Sequence, residues 1–194
     1  MSLTKAREMM DEALNLARTA AVHGEVPVGA IIVKDGVIIG RGANRPMESH
    51  DPTAHAEIIA IREAAAYLGN DRLTGCDLWV TLEPCAMCAG AIAHARIQRL
   101  YYAASDPKGG AVEHGARVFE QEQCLHRPEV YSGIGEAEAA ALALGVHDLI
   151  CLDLGDYPLR LSEADKMRLV DRRRSFGFRR GFEVRRGFDV LHAF

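Results

Sequence analysis

The stretch that decides the fold runs from Val80 to Ala95 and reads V-T-L-E-P-C-A-M-C-A-G-A-I-A-H-A. An apolar, strand-like run leads into Pro84, and Pro84 in a first turn followed by helix formers predicts a helix from Cys85 to Ala95. Cys85 and Cys88 would lie on one face of that turn, where both thiols can bind one metal ion and the positive helix end favours thiolates. Redox pairs and structural zinc sites share the C-x-x-C spacing, and two buried apolar cysteines are a further interpretation.

Strands and helices alternate along the flanking sequence. Hydrophobic periodicity predicts helices over 4–22, from Asp51-Pro52-Thr53 to Gly69-Asn70, and from residue 136, and it predicts strands over 28–33, 37–40, 78–82 and 100–104. Asp35-Gly36 is typical of a hairpin turn. Residues 41–51 are predicted to form a polar loop, and residues 117–133 show only a weak pattern. The alternation predicts an α/β domain with helices on both faces of its sheet.

Composition narrows the class of protein. The 194 residues contain no apolar run near the roughly 20 residues that span a bilayer, and no apolar signal region follows the N-terminus. Five cysteines at irregular spacing do not resemble a secreted disulfide framework. We therefore expect a cytoplasmic protein with no membrane partner. Net charge is −4, with −8 on residues 1–160, so any RNA contact of the core must be local.

The C-terminal residues differ in composition from the rest. We predict a catalytic domain over residues 1–144 and an atypical extension over residues 145–194, where Gly145 interrupts the last predicted helix. The extension contains Arg172-Arg173-Arg174 and a near-repeat, Phe178–Phe182 and Val184–Phe188, and its last 34 residues carry a net charge of +4. Aromatic rings interleaved with arginines can stack on single-stranded RNA, although a solvated tail has the same composition.

A second motif, His55-Ala56-Glu57, supplies a histidine that can bind the same metal ion as the cysteine pair. One histidine and two cysteines supply three zinc ligands and leave a fourth position for water, whereas a structural site would normally be closed by a fourth residue. Glu57 is placed to move protons for that water, provided that both residues lie at a helix start. The combination H-x-E…P-C-x-x-C is the signature of zinc nucleobase deaminases.

On these motifs the chain resembles the bacterial tRNA-specific adenosine deaminase (TadA) family over roughly residues 5–140. The resemblance rests on Glu25–Ala30, Asn44-Arg45, Asp51–Ile58, Val80–Ala91 and Asp106–Ala111. It implies a cytidine deaminase-like fold, which is a three-layer α/β/α sandwich with a central mixed five-stranded sheet. It also implies a homodimer that acts on the tRNA anticodon stem-loop.

The resemblance further implies the site residues. His55, Cys85 and Cys88 resemble the ligands of one Zn²⁺ per subunit, and Glu57 resembles the proton shuttle. The implied substrate contacts are Asn44, which would bond the flipped base with its amide donor and acceptor, the pocket wall at Val28, Gly29 and Ala30, and the RNA-contacting pair Asp106 and Lys108. Family members usually end in a helix with aromatic and basic residues, which this chain does not continue after Gly145.

The implied activity is hydrolytic conversion of adenosine to inosine at the wobble position of tRNA, with zinc-activated water and Glu57 as proton shuttle. One alternative is a free nucleobase or nucleoside deaminase of the same superfamily, of the guanine or cytosine type. Another is a zinc-stabilised binding module without catalysis. A free-base deaminase would not lose activity as salt rises, because salt screens the phosphate contacts that an RNA substrate makes. A binding module would keep its function in the Glu57→Ala variant.

Overall fold

Five strands form the central sheet of the computed structural model, which describes residues 2–143. The strands are β1 (Gly29–Lys34), β2 (Val37–Ala43), β3 (Cys76–Leu82), β4 (Arg99–Ala104) and β5 (Glu129–Ser132). Their order in the sheet is β2-β1-β3-β4-β5. Strand β1 is antiparallel to β2 and β3, while β3, β4 and β5 are parallel. The predicted mixed five-stranded sheet is confirmed.

Helices cover both faces of this sheet, as predicted. The helices are α1 (Leu3–Val22), α2 (Pro46–Ser49), α3 (Ala56–Leu68), α4 (Ala86–Ala95) and α5 (Glu136–Ala143), with a 3₁₀ turn at Val118–Glu120. Helices α1 and α5 pack on one face, where Met10 and Leu14 meet Trp79. Helices α3 and α4 pack on the other, where Ile92 meets Leu78. Within the described residues, no helix is long and apolar enough to cross a membrane.

Local sequence signals correctly predict the first helix and the hairpin. Helix α1 begins after Ser2, whose hydroxyl oxygen accepts the Lys5 N–H at 3.3 Å, and it ends before Gly24, which has a φ of 77°. Asp35 and Gly36 have φ values of 50° and 79°, and Lys34 pairs with Val37 across the turn. Positive φ at both central positions is what a two-residue hairpin turn requires.

Two predicted helix starts are wrong by one to a few residues. Asp51-Pro52-Thr53 does not open α3, which begins at Ala56. The Asp51 carboxylate instead accepts the Thr53 N–H at 2.8 Å and the Thr53 hydroxyl at 2.7 Å, which closes a turn before the helix. Likewise Cys85 is the N-cap of α4, and Pro84 precedes the helix.

Other differences lie in weakly patterned segments. The predicted loop over 41–51 contains the end of β2 and the short helix α2, and the segment over 117–133 contains the 3₁₀ turn and edge strand β5. Helix α5 occupies the start of the last predicted helix. The predictions for residues 145–194, including the arginine run and the near-repeat, lie outside the described residues, and the domain boundary at residue 144 stays a prediction.

Backbone contact between β2 and α3 sets the position of α3. A Cβ on Gly42 would lie 2.0 Å from the carbonyl oxygen of Ala56, and a Cβ on Gly40 would lie 2.4 Å from that of Ala60. The helix therefore sits closer to the strand than any side chain at these two positions would allow. Ala56 is the first residue of α3, so this contact holds the start of the helix.

We expect Gly42→Ala to destabilise the protein by about 1–3 kcal/mol, because the added methyl group overpacks a backbone contact. Gly90→Ala is the matched control, since a Cβ there meets nothing within 4 Å. In the middle of α4 that change should be neutral or stabilising by up to about 1 kcal/mol. Thermal and urea unfolding measure both variants, and equal stability of the two would contradict the contact described above.

Candidate metal and catalytic site

The site lies where the N-termini of α3 and α4 meet. His55 is the N-cap of α3 and Cys85 is the N-cap of α4, and both have extended backbone (φ −73°, ψ 153° and φ −70°, ψ 173°). The Nδ1 atom of His55 lies 3.7 Å from Sγ of Cys85 and 3.6 Å from Sγ of Cys88. The three predicted ligands are therefore brought together.

The spacing of these atoms fits zinc. In a tetrahedral site with ordinary zinc–ligand bond lengths, a nitrogen and a sulfur ligand lie about 3.5 Å apart. His55, Cys85 and Cys88 all have their ligand atoms within 4.8 Å of one another, and residues 2–143 contain no second group of three such side chains. Cys76 and Cys124 lie elsewhere as free thiols. Three ligands leave one tetrahedral position for water, as a catalytic site requires.

The two thiols differ in acidity. The pKa of Cys85 is lowered to about 5, chiefly because the Cys88 thiol donates to its sulfur, although burial opposes the shift. Backbone N–H groups of the first α4 turn and the charge of His55 lower the pKa further. The pKa of Cys88 is raised, because its proton is held by Cys85 and because the group is buried. The lowered pKa favours the thiolate form of Cys85, and metal binding would displace the Cys88 proton.

Glu57 lies beside these ligands. As the second residue of α3 it follows the extended His55, which explains how two residues spaced i and i+2 serve one site. Its side chain is buried, and that burial is the main cause that raises its pKa, partly offset by its own backbone N–H. The charge of Cys85 raises this pKa further, whereas His55 and Cys88 lower it. A buried carboxyl with a raised pKa is suited to taking up and releasing protons in a reaction.

Asn44 is buried next to the start of α3. Its Oδ1 accepts the Ala56 N–H at 2.9 Å, and its own backbone N–H donates to the Val28 carbonyl at 3.0 Å. Because a backbone N–H can only donate, the atom facing Ala56 must be the amide oxygen. The sequence suggested that the amide offers both a donor and an acceptor to a base. In the structure the oxygen already binds α3, which leaves the NH₂ group as the donor for a ligand.

The predicted pocket wall splits between the two faces of the sheet. Val28 and Ala30 are buried on the face that α3 and α4 cover. Gly29 is turned toward α1, where a Cβ would lie 2.1 Å from the Ala13 carbonyl oxygen, and its N–H donates to the Thr81 hydroxyl at 3.1 Å. A substrate contact by Gly29 stays a prediction.

Asp106 and Lys108 lie in a tight turn after β4. Oδ1 of Asp106 accepts the N–H groups of Lys108 at 3.1 Å and Gly109 at 2.9 Å, so this carboxylate folds the turn. The Lys108 side chain is exposed. The same segment contacts the metal-binding stretch, because the Ala111 N–H donates to the Pro84 carbonyl at 2.9 Å.

Glu83 is a buried residue at the site that sequence reasoning missed. Burial alone would raise its pKa, but hydrogen bonds from the N–H groups of Asp106, His114 and Glu113 and from the His114 ring outweigh it and hold the pKa below its usual range. Most of these donors are backbone groups, which carry no side-chain signature. The available signal was a charged residue between the end of strand β3 and Pro84.

The fold and site define a zinc-dependent deaminase. The chain belongs to the family described as cytidine and deoxycytidylate deaminase zinc-binding region, whose family model matches residues 3–104. Guanine deaminase from Nitrosomonas europaea has a solved structure that is 25% identical to this chain, with a TM-score of 0.59 over 72% of this chain and 83% of that one.

Within this class the chain belongs to the tRNA-specific adenosine deaminases. It is 55% identical over 140 residues to the tRNA-specific adenosine deaminase of Agrobacterium fabrum. The aligned region covers 72% of this chain and 92% of that protein. A solved structure from a study of A-to-I editing by tRNA deaminases at the wobble position is 57% identical, with a TM-score of 0.69 over 70% of this chain and 98% of that one.

We expect His55→Ala to lose its zinc. Removing one of three ligands should lower the zinc content from about one per chain toward zero, and Tm should fall by more than about 5 °C because bound metal stabilises the folded state. His94→Ala is the control, since His94 is an exposed residue on α4 outside the ligand group. Elemental analysis and thermal unfolding measure both variants. Full zinc occupancy in His55→Ala would disprove the ligand assignment.

Proposed function

We propose that this protein hydrolyses adenosine to inosine at the wobble position of a tRNA anticodon stem-loop, with the release of ammonia. The observation that carries the proposal is the group of His55, Cys85 and Cys88 with the buried Glu57 beside it, at spacings that fit a catalytic zinc ion. The identity of 55% to a tRNA-specific adenosine deaminase supports tRNA as the substrate.

In the proposed mechanism His55, Cys85 and Cys88 hold the zinc ion. A zinc ion held there would supply an acidified water molecule as the nucleophile for the ring carbon that bears the amine. Glu57 takes a proton from the water and delivers it to the neighbouring ring nitrogen. Glu57 then moves the remaining proton of that water from the oxygen to the departing amine, so that water and adenosine give inosine and ammonia. Burial beside the ligands keeps this carboxyl close to the reacting atoms and away from bulk water.

Asn44 is proposed to orient the base. Its oxygen is held by the Ala56 N–H, so its NH₂ group has a fixed direction before substrate arrives. A fixed donor orients a ring acceptor without losing side-chain entropy on binding. Val28 and Ala30 lie on the same face of the sheet as α3 and support the proposed pocket wall.

The free-base alternative shares the fold and is weaker on the comparisons. The guanine deaminase structure has 25% identity, whereas the tRNA deaminase structure has 57%. The binding-module alternative does not explain why Glu57 is buried next to three ligand atoms, because a structural zinc site has no use for a carboxyl group there. The homodimer stays a prediction from the family resemblance, and the cytoplasmic location stays a prediction from composition.

We expect ammonia release from an anticodon stem-loop with adenosine at the wobble position. Turnover should fall as salt rises, because phosphate contacts are screened. Guanine, cytosine and free adenosine run beside the stem-loop as competing substrates. Glu57→Gln is the matched control, because it should retain zinc yet lower kcat by about 10³-fold when the proton shuttle is removed.

Turnover of a free base alone would reject the RNA substrate and keep the zinc chemistry. Unchanged kcat in Glu57→Gln would reject the proton shuttle. Inactivity of the zinc-loaded wild type on all four substrates would favour the binding module.

A second test concerns Asn44. Asn44→Asp keeps an oxygen that accepts the Ala56 N–H, replaces the NH₂ donor with an acceptor, and adds a negative charge that the N-terminus of α3 favours. We expect kcat/KM on the stem-loop to fall by roughly 30-fold, the value of one lost hydrogen bond to a buried group, with little change in Tm. Asn44→Ala removes both groups and should lower Tm as well. Equal kcat/KM in wild type and Asn44→Asp would show that the donor does not contact the base.

A further inference from the structure

Glu83 accepts five hydrogen bonds from one nine-residue segment. We call residues 106–114, between β4 and the 3₁₀ turn, the anchored segment. Oε1 accepts the backbone N–H groups of Val112, Glu113 and His114 at 3.1, 2.9 and 3.0 Å. Oε2 accepts the Asp106 N–H at 3.0 Å and the ring Nδ1–H of His114 at 2.7 Å. Both ends of the segment are therefore tied to one buried carboxylate.

The middle of the anchored segment is packed against the same side chain. A Cβ on Gly110 would lie 2.5 Å from Cδ of Glu83, so the backbone passes directly over the carboxylate. The Ala111 N–H donates to the carbonyl of Pro84 at 2.9 Å. Glu83 and Pro84 immediately precede the zinc ligand Cys85 in the chain. The metal centre and the anchored segment are thus joined through two consecutive residues.

We propose that Glu83 is a positioning residue for the tRNA reaction. It holds the anchored segment at a fixed place relative to the zinc ligands, so that Asp106 and Lys108 meet the RNA beside the reacting base. Glu83 lies outside the group of three ligand residues and acts through the anchored segment. The inference rests on the proposed function, because a free base, unlike RNA, has no phosphate group for Lys108 to bind.

Substitution by glutamine separates this role from simple space filling. Glu83→Gln keeps the size of the side chain and one oxygen, which can still accept from Val112, Glu113 and His114. Its NH₂ group cannot accept from the Asp106 N–H or from His114 Nδ1–H, so the end of the segment that carries Asp106 and Lys108 loses its anchor. Loss of that anchor should weaken RNA binding more than it slows the chemical step.

Asp77→Asn is the matched control. Asp77 is a largely buried carboxylate on the same strand, at the opposite end from Glu83, and it pairs with Arg99 at 3.0 Å. It lies outside the proposed catalytic and binding groups. Comparison of the two variants separates the loss of a buried carboxylate from the loss of the anchor.

The experiment measures KM, kcat and zinc content of the full chain on the wobble-adenosine stem-loop. We expect KM to rise about tenfold in Glu83→Gln, with kcat changed less and zinc unchanged, and no such rise in Asp77→Asn. The dependence of log KM on log salt should become shallower, as it should in Lys108→Ala, because a phosphate contact is lost. Combining Glu83→Gln with Lys108→Ala should raise KM little beyond the worse single variant.

Hydrogen exchange tests the anchoring of residues 106–114 by Glu83 separately from its effect on RNA binding. Amide exchange of residues 106–114 in zinc-loaded protein should be faster in Glu83→Gln than in wild type, whichever substrate the enzyme uses. Faster exchange with wild-type KM and salt dependence would overturn the positioning role, as would additive effects in the double variant. If wild type is active only on a free base, the proposed function fails and the RNA role of Glu83 fails with it, while faster exchange would preserve the anchoring.

Discussion

Three ligand atoms on two different helices have to lie within about 4 Å of one another, and the rest of the structure depends on that requirement. The mixed sheet meets this requirement by placing α3 and α4 side by side on one face, and both helices start at the same end of the strands. Two of the three ligand residues, His55 and Cys85, are N-caps with extended backbone, and Cys88 lies in the first turn of α4. Because an N-cap side chain points along the helix end and not outward from its side, two such residues can approach one ion.

Much of this arrangement can be predicted from sequence where the determinants are local. The hairpin at Asp35-Gly36 and the end of α3 at Gly69 follow from residues that tolerate positive φ, and the structure has positive φ at all three. The ligand set His55, Cys85 and Cys88 follows from the chemistry of the two motifs and from their match to the deaminase signature, and the structure brings the three side chains together. The position of Glu57 followed from the requirement that His55 and Glu57 lie at a helix start.

Features that depend on distant partners could not be predicted in this way. Asp51 is a residue type that often serves as an N-cap. Its carboxylate instead accepts a hydrogen bond from the Thr53 hydroxyl, and the helix starts at Ala56. Strand β5 is a short, largely exposed edge strand that only its pairing with β4 defines. The hydrogen bonds of Glu83 come from residues 23 to 31 positions later, mostly through backbone N–H groups. The oxygen of Asn44 is similarly committed to a backbone group that its own sequence context does not reveal.

The backbone contact at Gly42 bears on how the site tolerates change during evolution. A helix held by interlocking side chains shifts whenever a core residue changes volume, and its catalytic groups shift with it. In helix α3 the carbonyl group of the first residue instead packs directly against Gly42, so the backbones of the strand and the helix are in contact. Substitutions elsewhere in the core can then accumulate with little displacement of His55 and Glu57. The cost falls on Gly40 and Gly42, where no larger residue fits.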